Sequence, residues 1–97
     1  FYAGNYEELL AGVRDEAAQY LDKKAADLKN LGVAKVTCVT KEGLAADEII
    51  LLGQKTPDNL IAMSSHGRSG VKRWVLGSVA EAVVRHCGDP VLITRPL

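Results

Sequence analysis

The stretch from Ser64 to Ser78 holds the residues of this chain that are best suited to chemistry. It reads SSHGRSGVKRWVLGS, with glycines at Gly67, Gly70 and Gly77 among serines and basic side chains. Backbone N–H groups in a glycine-rich loop can point inward at an anion, and a helix that starts after the loop adds the positive end of its dipole. The pattern therefore predicts an anion site of the kind that holds a nucleotide phosphate.

The elements on either side of this stretch are predicted to be a buried strand and an amphipathic helix. Leu60 to Ser64 shows no alternation of apolar and polar residues, which is typical of a central parallel strand buried on both faces. Ser78 is predicted to cap a helix over Val79 to His86, and Glu81 would complete a capping box. A strand that leads into a glycine-rich loop and then a helix is a common way to hold phosphate.

The rest of the chain alternates helices with strands. Helical spacing of apolar residues predicts a long amphipathic helix that is capped by Asn5 and ends at Gly32. β-branched residues predict a strand over Val33 to Thr40, and a second helix follows over Leu44 to Lys55. Val91 to Arg95 is predicted to be a last strand at an edge, because prolines bracket it. This alternation predicts an α/β fold with a parallel sheet.

Length and composition predict a single cytoplasmic domain over residues 1–97. Twelve basic and twelve acidic residues give no net charge, which argues against a binder of duplex nucleic acid. No apolar run approaches the roughly 18 residues of a membrane span, so no membrane partner is expected. The two cysteines and two histidines do not fall in a zinc-ligand spacing, so no metal site is predicted.

The chain resembles the universal stress protein family around the same loop. The family's nucleotide signature is Gly, two residues, Gly, nine residues, Gly, and then Ser or Thr. Gly67 matches the second glycine, and Gly77 followed by Ser78 closes the pattern. Ser64 stands where the first glycine is expected. Further segments that resemble the family are HGRSG (66–70), LGSVAEAV (76–83) and DPVLITRP (89–96).

The resemblance implies a doubly wound parallel sheet of the HUP or adenine nucleotide α-hydrolase-like type, with five strands in the order 3-2-1-4-5. The strands predicted above would then be the family's last three, and its third and fourth strands are not neighbours. Buried main-chain groups without partners cost about 1–3 kcal/mol each. We therefore expect about 40–55 residues, the usual length of a β-α-β unit, to precede Phe1.

The resemblance also implies which residues bind nucleotide. The loop would hold the ribose and phosphates of ATP, and the helix start would hold the outer phosphates. Any Mg²⁺ would be bound mainly through the phosphates. No catalytic residue is predicted, so the domain is not expected to be an enzyme, although slow ATP hydrolysis stays open. The residues implied are Met63, Ser64, Ser65, His66, Gly67, Arg68, Ser69, Gly70, Gly77, Ser78 and Val79.

Several of these positions have a purely structural alternative. Gly67 could serve only as a turn glycine, and Ser78 could serve only as a helix cap. If position 64 needs a backbone that only glycine adopts, Ser64 costs about 1–2 kcal/mol. If it needs only a small side chain, serine is nearly neutral there. His66 is more typical of a hydrogen-bonding loop residue than of a catalytic one.

Three functions follow from these observations. The first is an ATP-binding stress-response protein that forms a homodimer through its last strand, as family members do. The second is a universal stress protein that binds no nucleotide and acts as a protein-interaction or dimerisation module, which Ser64 favours. The third is an adenylate-handling enzyme on a related fold, for which this sequence shows no signature. The dimer residues implied are Val91, Leu92, Ile93 and Thr94.

Overall fold

A computed structural model describes residues 3–65 and 76–95 of the protein. The chain divides into two compact units, Phe1–Lys41 and Glu42–Leu97. No helix in the described ranges is both long enough and apolar enough to cross a membrane. The elements in chain order are α1 (Ala3–Asn30), α2 (Ala45–Lys55), β1 (Ile61–Ser64), α3 (Ser78–His86) and β2 (Val91–Thr94).

The first unit contains α1 and the segment that follows it. Helix α1 begins before Asn5, so the cap predicted at that residue is wrong. The predicted end is confirmed, because Gly32 has a φ of +103° and its N–H donates to the Lys29 carbonyl. The Val33 N–H donates to the Leu28 carbonyl. These two bonds form a Schellman motif, whose left-handed position glycine adopts without steric cost.

The strand predicted over Val33 to Thr40 is not formed, and the segment has no regular secondary structure. β-branched side chains favour an extended backbone, but a strand also needs a neighbour that completes its hydrogen bonds. No strand among residues 3–65 and 76–95 pairs with this segment. The Cys38 thiol instead donates to the Leu21 carbonyl of α1 over 3.5 Å. The local preference of these residues was therefore not sufficient to build a strand.

The second unit contains a β-α-β arrangement made by β1, α3 and β2. The two strands are parallel and paired in register, with Ile61 opposite Val91 and Ser64 opposite Thr94. This pairing confirms that the strands before and after the glycine-rich stretch are neighbours in a parallel sheet. Strand β2 ends at Thr94, one residue before the predicted end at Arg95.

Burial along β1 alternates, contrary to the expectation of a strand buried on both faces. Ile61 and Met63 are half-buried, whereas Ala62 and Ser64 are exposed. Ile61 lies on the side of α2, since its Cδ1 would be 3.3 Å from a Cβ added at Gly53. Alternation follows because α2 lies on the Ile61 face of the strand, whereas no helix in the described ranges buries Ala62 and Ser64 on the other face.

Polar side chains hold the turn between α2 and β1. Asn59 Nδ2 donates to the Gly53 carbonyl over 3.0 Å and to the Thr56 carbonyl over 2.7 Å. Thr56 Oγ1 donates to the Leu52 carbonyl over 2.8 Å. These bonds add side-chain donors to carbonyls at the end of α2, where the Gly53 carbonyl also accepts the Thr56 N–H. They therefore fix where β1 begins relative to α2.

Candidate functional site

Ser65 lies at the centre of the candidate site, directly after β1. Ser65 is fully buried, with 0% of its surface exposed. Its N–H donates to the Thr94 carbonyl at the end of β2 over 2.7 Å, and its carbonyl accepts a hydrogen bond from the Gly77 N–H. One residue is therefore bonded both to the end of the second strand and to the residue that precedes α3. These bonds bring the two ends of the glycine-rich stretch together at the carboxyl edge of the sheet.

Gly77 is the N-cap of α3, with a φ of −67° and a ψ of 163°. The cap predicted at Ser78 is wrong by one residue, because the Gly77 carbonyl accepts the first hydrogen bond of the helix from the Glu81 N–H. No side chain among the described residues caps α3. The predicted capping box is also absent there, and the Glu81 carboxylate instead forms a 2.9 Å salt bridge with Arg85.

Three consecutive main-chain donors lie at the start of α3. The N–H groups of Ser78, Val79 and Ala80 precede the donor of the first intrahelical bond, and they pair with no acceptor in the described part of the chain. The Ala80 side chain is only 2% exposed, so this turn is anchored in the core, whereas the Ser78 side chain is exposed. Such donors at the positive end of a helix dipole match the chemistry of a phosphate group.

Ser64 ends β1 and is exposed at the same edge of the sheet. Among the described residues other than glycine, positive φ occurs at Asp58 alone. Ser64 therefore has an ordinary strand backbone, and the alternative that only glycine fits this position is excluded.

Of the other residues predicted to bind nucleotide, some lie in the described ranges and some lie outside them. Met63 is half-buried in β1, and its carbonyl accepts a 3.4 Å hydrogen bond from Thr94 Oγ1. Val79 is 37% exposed in the first turn of α3. The predicted residues that lie outside the described ranges are His66, Gly67, Arg68, Ser69 and Gly70.

The predicted dimer residues form β2. Val91 and Ile93 are half-buried, and Leu92 and Thr94 are exposed. Strand β1 occupies one edge of β2, and no strand in the described ranges occupies the other edge.

An apolar groove of about 290 Å³ lies along α2 and β1, apart from the donors of α3. It contains none of the residues predicted to bind nucleotide. No cluster of His, Cys, Asp and Glu suited to a metal ion occurs within the described residues. The groove is lined by Ile49, Leu52, Gly53, Thr56, Asn59, Leu60, Ile61 and Ala62.

Sequence reasoning missed how the site is held together. It assigned Thr94 to a dimer interface and Ser65 to the ligand, but not the hydrogen bond between their main chains. No residue type signals this bond, because any two residues could make it once strand register places them side by side. The carbonyl of Ser65 likewise meets Gly77 only after the chain folds back.

Comparison with known proteins points to one family. The family model described as the universal stress protein family matches residues 2–95. Universal stress protein MJ0531 of Methanocaldococcus jannaschii is 33% identical over 92 residues, which are 95% of this chain and 54% of that protein. Universal stress protein MJ0577 of the same organism is 30% identical over 88 residues, which are 91% of this chain and 54% of that protein. The chain spans about half the length of the curated relatives it matches.

A solved structure of MJ0577, determined for a structure-based assignment of that protein's biochemical function, is similar to most of this chain. The TM-score is 0.83 at 28% identity, and the match covers 94% of this chain and 62% of that chain. Together with the parallel pairing of β1 and β2, this similarity confirms the predicted α/β fold with a parallel, doubly wound sheet.

Proposed function

The chain belongs to the universal stress protein family, and from that premise we propose that it binds an adenine nucleotide, with ATP as the ligand. The binding place is the carboxyl edge of β1, where ligands of open α/β sheets bind. The glycine-rich stretch holds the ribose and the inner phosphates. The N–H groups of Ser78, Val79 and Ala80 hold the outer phosphates.

One observation carries this proposal. Ser65 joins the end of the sheet to Gly77, so the donors of α3 that have no acceptor among the described residues lie next to the strand end rather than elsewhere on the surface. Charge-assisted hydrogen bonds from main-chain N–H groups to an anion are stronger than neutral ones. An Mg²⁺ ion that accompanies ATP would be held mainly through the phosphates.

The proposed activity is binding without turnover, in a cytoplasmic homodimer. Support for the dimer comes from the orientation of β2. The Pro90 carbonyl accepts a hydrogen bond from the Ile61 N–H, and the Thr94 carbonyl accepts one from the Ser65 N–H, so these carbonyls face β1. Main-chain direction alternates along a strand, so the N–H and C=O groups of Ile93 face the other edge. An edge with unpaired groups favours pairing with a second copy.

Nucleotide release and calorimetry test the binding proposal. We expect the full-length protein to release adenine nucleotide on denaturation, or to show binding heat when ATP is titrated into the nucleotide-free protein. Gly67→Val, at a position outside the described residues, should abolish this binding with little change in Tm, because a ligand-contacting glycine tolerates no added bulk. Absence of both bound nucleotide and heat at millimolar ATP would contradict the proposal.

The second candidate function is a dimerisation or interaction module that binds no nucleotide. The observation in its favour is that Ser64 stands where the family signature has glycine. The ordinary strand backbone of Ser64 weakens that argument, because the serine adds only a small hydroxymethyl group without backbone strain.

A further inference from the structure

We propose that Ser65 is the positioning residue of this site and that it acts through its main chain. Its two hydrogen bonds set the first turn of α3 against the end of β2, and so determine where the phosphate-binding N–H groups lie. The inference rests on the proposed function, since it assigns a role within the same nucleotide site.

The structure shows the two bonds and the confinement of the residue that makes them. The N–H of Ser65 donates to the Thr94 carbonyl, and its carbonyl accepts the Gly77 N–H. The residue is 0% exposed, so its side chain is enclosed on every side. Gly77 is directly followed by the donors of Ser78 and Val79. A shift at Ser65 is therefore passed to those donors through one hydrogen bond and one or two residues of chain.

The geometry of anion binding makes such a shift costly. N–H to oxygen hydrogen bonds keep donor–acceptor distances of about 2.7–3.2 Å and weaken steeply when their angles are distorted. Displacing the start of α3 by about 1 Å would therefore weaken several contacts to phosphate at once. A residue that never touches the nucleotide can thus control its affinity.

The proposal can be tested by changing the size of the side chain at position 65. Ser65→Ala retains both main-chain bonds and adds no atoms. Ser65→Leu adds bulk for which an enclosed site has no room, so the surroundings of the residue must shift and its two main-chain bonds are distorted. Val83→Ala is the matched control for lost stability. Val83 is also 0% exposed, and it lies in α3 beyond the first turn, so its truncation leaves a cavity without changing a residue at either end of the loop.

The test measures two quantities in the full-length protein, at a temperature where circular dichroism shows every variant to be folded. The first is amide hydrogen exchange of Gly77 without nucleotide, and the second is the Kd for ATP. We expect Ser65→Leu to speed Gly77 exchange and raise the Kd, each by at least about tenfold, a factor worth about 1.4 kcal/mol. Val83→Ala should keep the Kd within about threefold of the wild-type value, and Ser65→Ala should raise the Kd less than Ser65→Leu does, because it keeps both main-chain bonds.

The outcomes separate this inference from the proposed function. A Ser65→Leu variant that binds ATP like the wild type overturns the positioning role. So does a Val83→Ala variant that loses affinity in the same proportion to its loss of Tm, because the effect would then be one of stability. An equal loss in Ser65→Ala would place the role in the hydroxyl and overturn the main-chain account. If the wild type binds no ATP while Gly77 is protected, the proposed function fails although the two bonds of Ser65 exist.

Discussion

Ser64 and Gly77 show that the glycine positions of the family signature do not all have the same physical basis. Gly77 has an extended backbone, and Ser64 ends a strand without positive φ. Neither position requires the left-handed conformation that favours glycine. Backbone freedom therefore does not account for the signature's small residues at these two positions.

Replacing the serine by the family's glycine tests this interpretation. We expect Ser64→Gly to change the Kd for ATP by less than about threefold, because no backbone strain is relieved and little volume is removed. Calorimetry on the two proteins measures the difference. If the wild type shows no binding and Ser64→Gly gains it, the interaction module without nucleotide is the correct function.

Gly53 is a glycine whose neighbouring side chains leave little space for a Cβ. It is buried in α2, and a Cβ there would lie 2.9 Å from Asp89 Oδ2 and 3.3 Å from Ile61 Cδ1. Overpacking costs about 1–3 kcal/mol, which exceeds the roughly 0.5–1 kcal/mol that alanine gains over glycine in a helix. We therefore expect Gly53→Ala to lower the free energy of unfolding in a urea titration by about 1–2 kcal/mol.

Gly12 provides the matched control for that substitution. It lies inside α1, and a Cβ added there meets no atom within 4 Å. Gly12→Ala should raise the free energy of unfolding by about 0.5–1 kcal/mol, so the two substitutions have opposite signs. A loss of stability in both variants would show that the space around Gly12 is filled in the folded protein.

Among the elements, β2 has two separate roles in the site and in the proposed dimer. One edge bonds to β1 and to Ser65, and the other carries the outward main-chain groups of Ile93. The alternation of main-chain direction keeps these roles apart, since neighbouring residues of the strand serve opposite edges. A change at one edge can therefore be made without removing a hydrogen bond at the other.

Proline at position 93 tests the dimer edge. Ile93→Pro removes an N–H that faces away from β1, so we expect the homodimer to dissociate while the fold is retained. Ile93→Ala truncates the same half-buried side chain but keeps the N–H, and it should remain a dimer. Analytical ultracentrifugation gives the oligomeric state, and circular dichroism gives the fold. A dimer that persists in Ile93→Pro would place the interface elsewhere.

The whole molecule should report nucleotide binding as stability. A ligand that binds only the folded state stabilises it by about 2.7 kcal/mol at a concentration 100 times its Kd. For a domain of this size, that corresponds to a rise in Tm on the order of 10 °C. We expect ATP to produce such a rise in differential scanning calorimetry of the wild type and none in Gly67→Val. Equal shifts in both proteins would indicate binding away from the glycine-rich stretch.

The sequence by itself determined the features that depend on neighbouring residues. Helical periodicity identified α1, α2 and α3, the turn residues identified where β2 begins, and Gly32 marked the end of the first helix. The motif from Ser64 to Ser78 identified the family. These signals are readable because periodicity, capping and turn chemistry act within a few residues of each other.

The tertiary structure alone decided the features that depend on distant partners. Val33 to Thr40 has the composition of a strand but no neighbouring strand to bond with among the described residues. Gly77, the cap of α3, donates its N–H to the Ser65 carbonyl on the other side of the glycine-rich stretch. Hydrogen bonds between residues far apart in the chain depend on register and chain return, which no local pattern of side chains encodes.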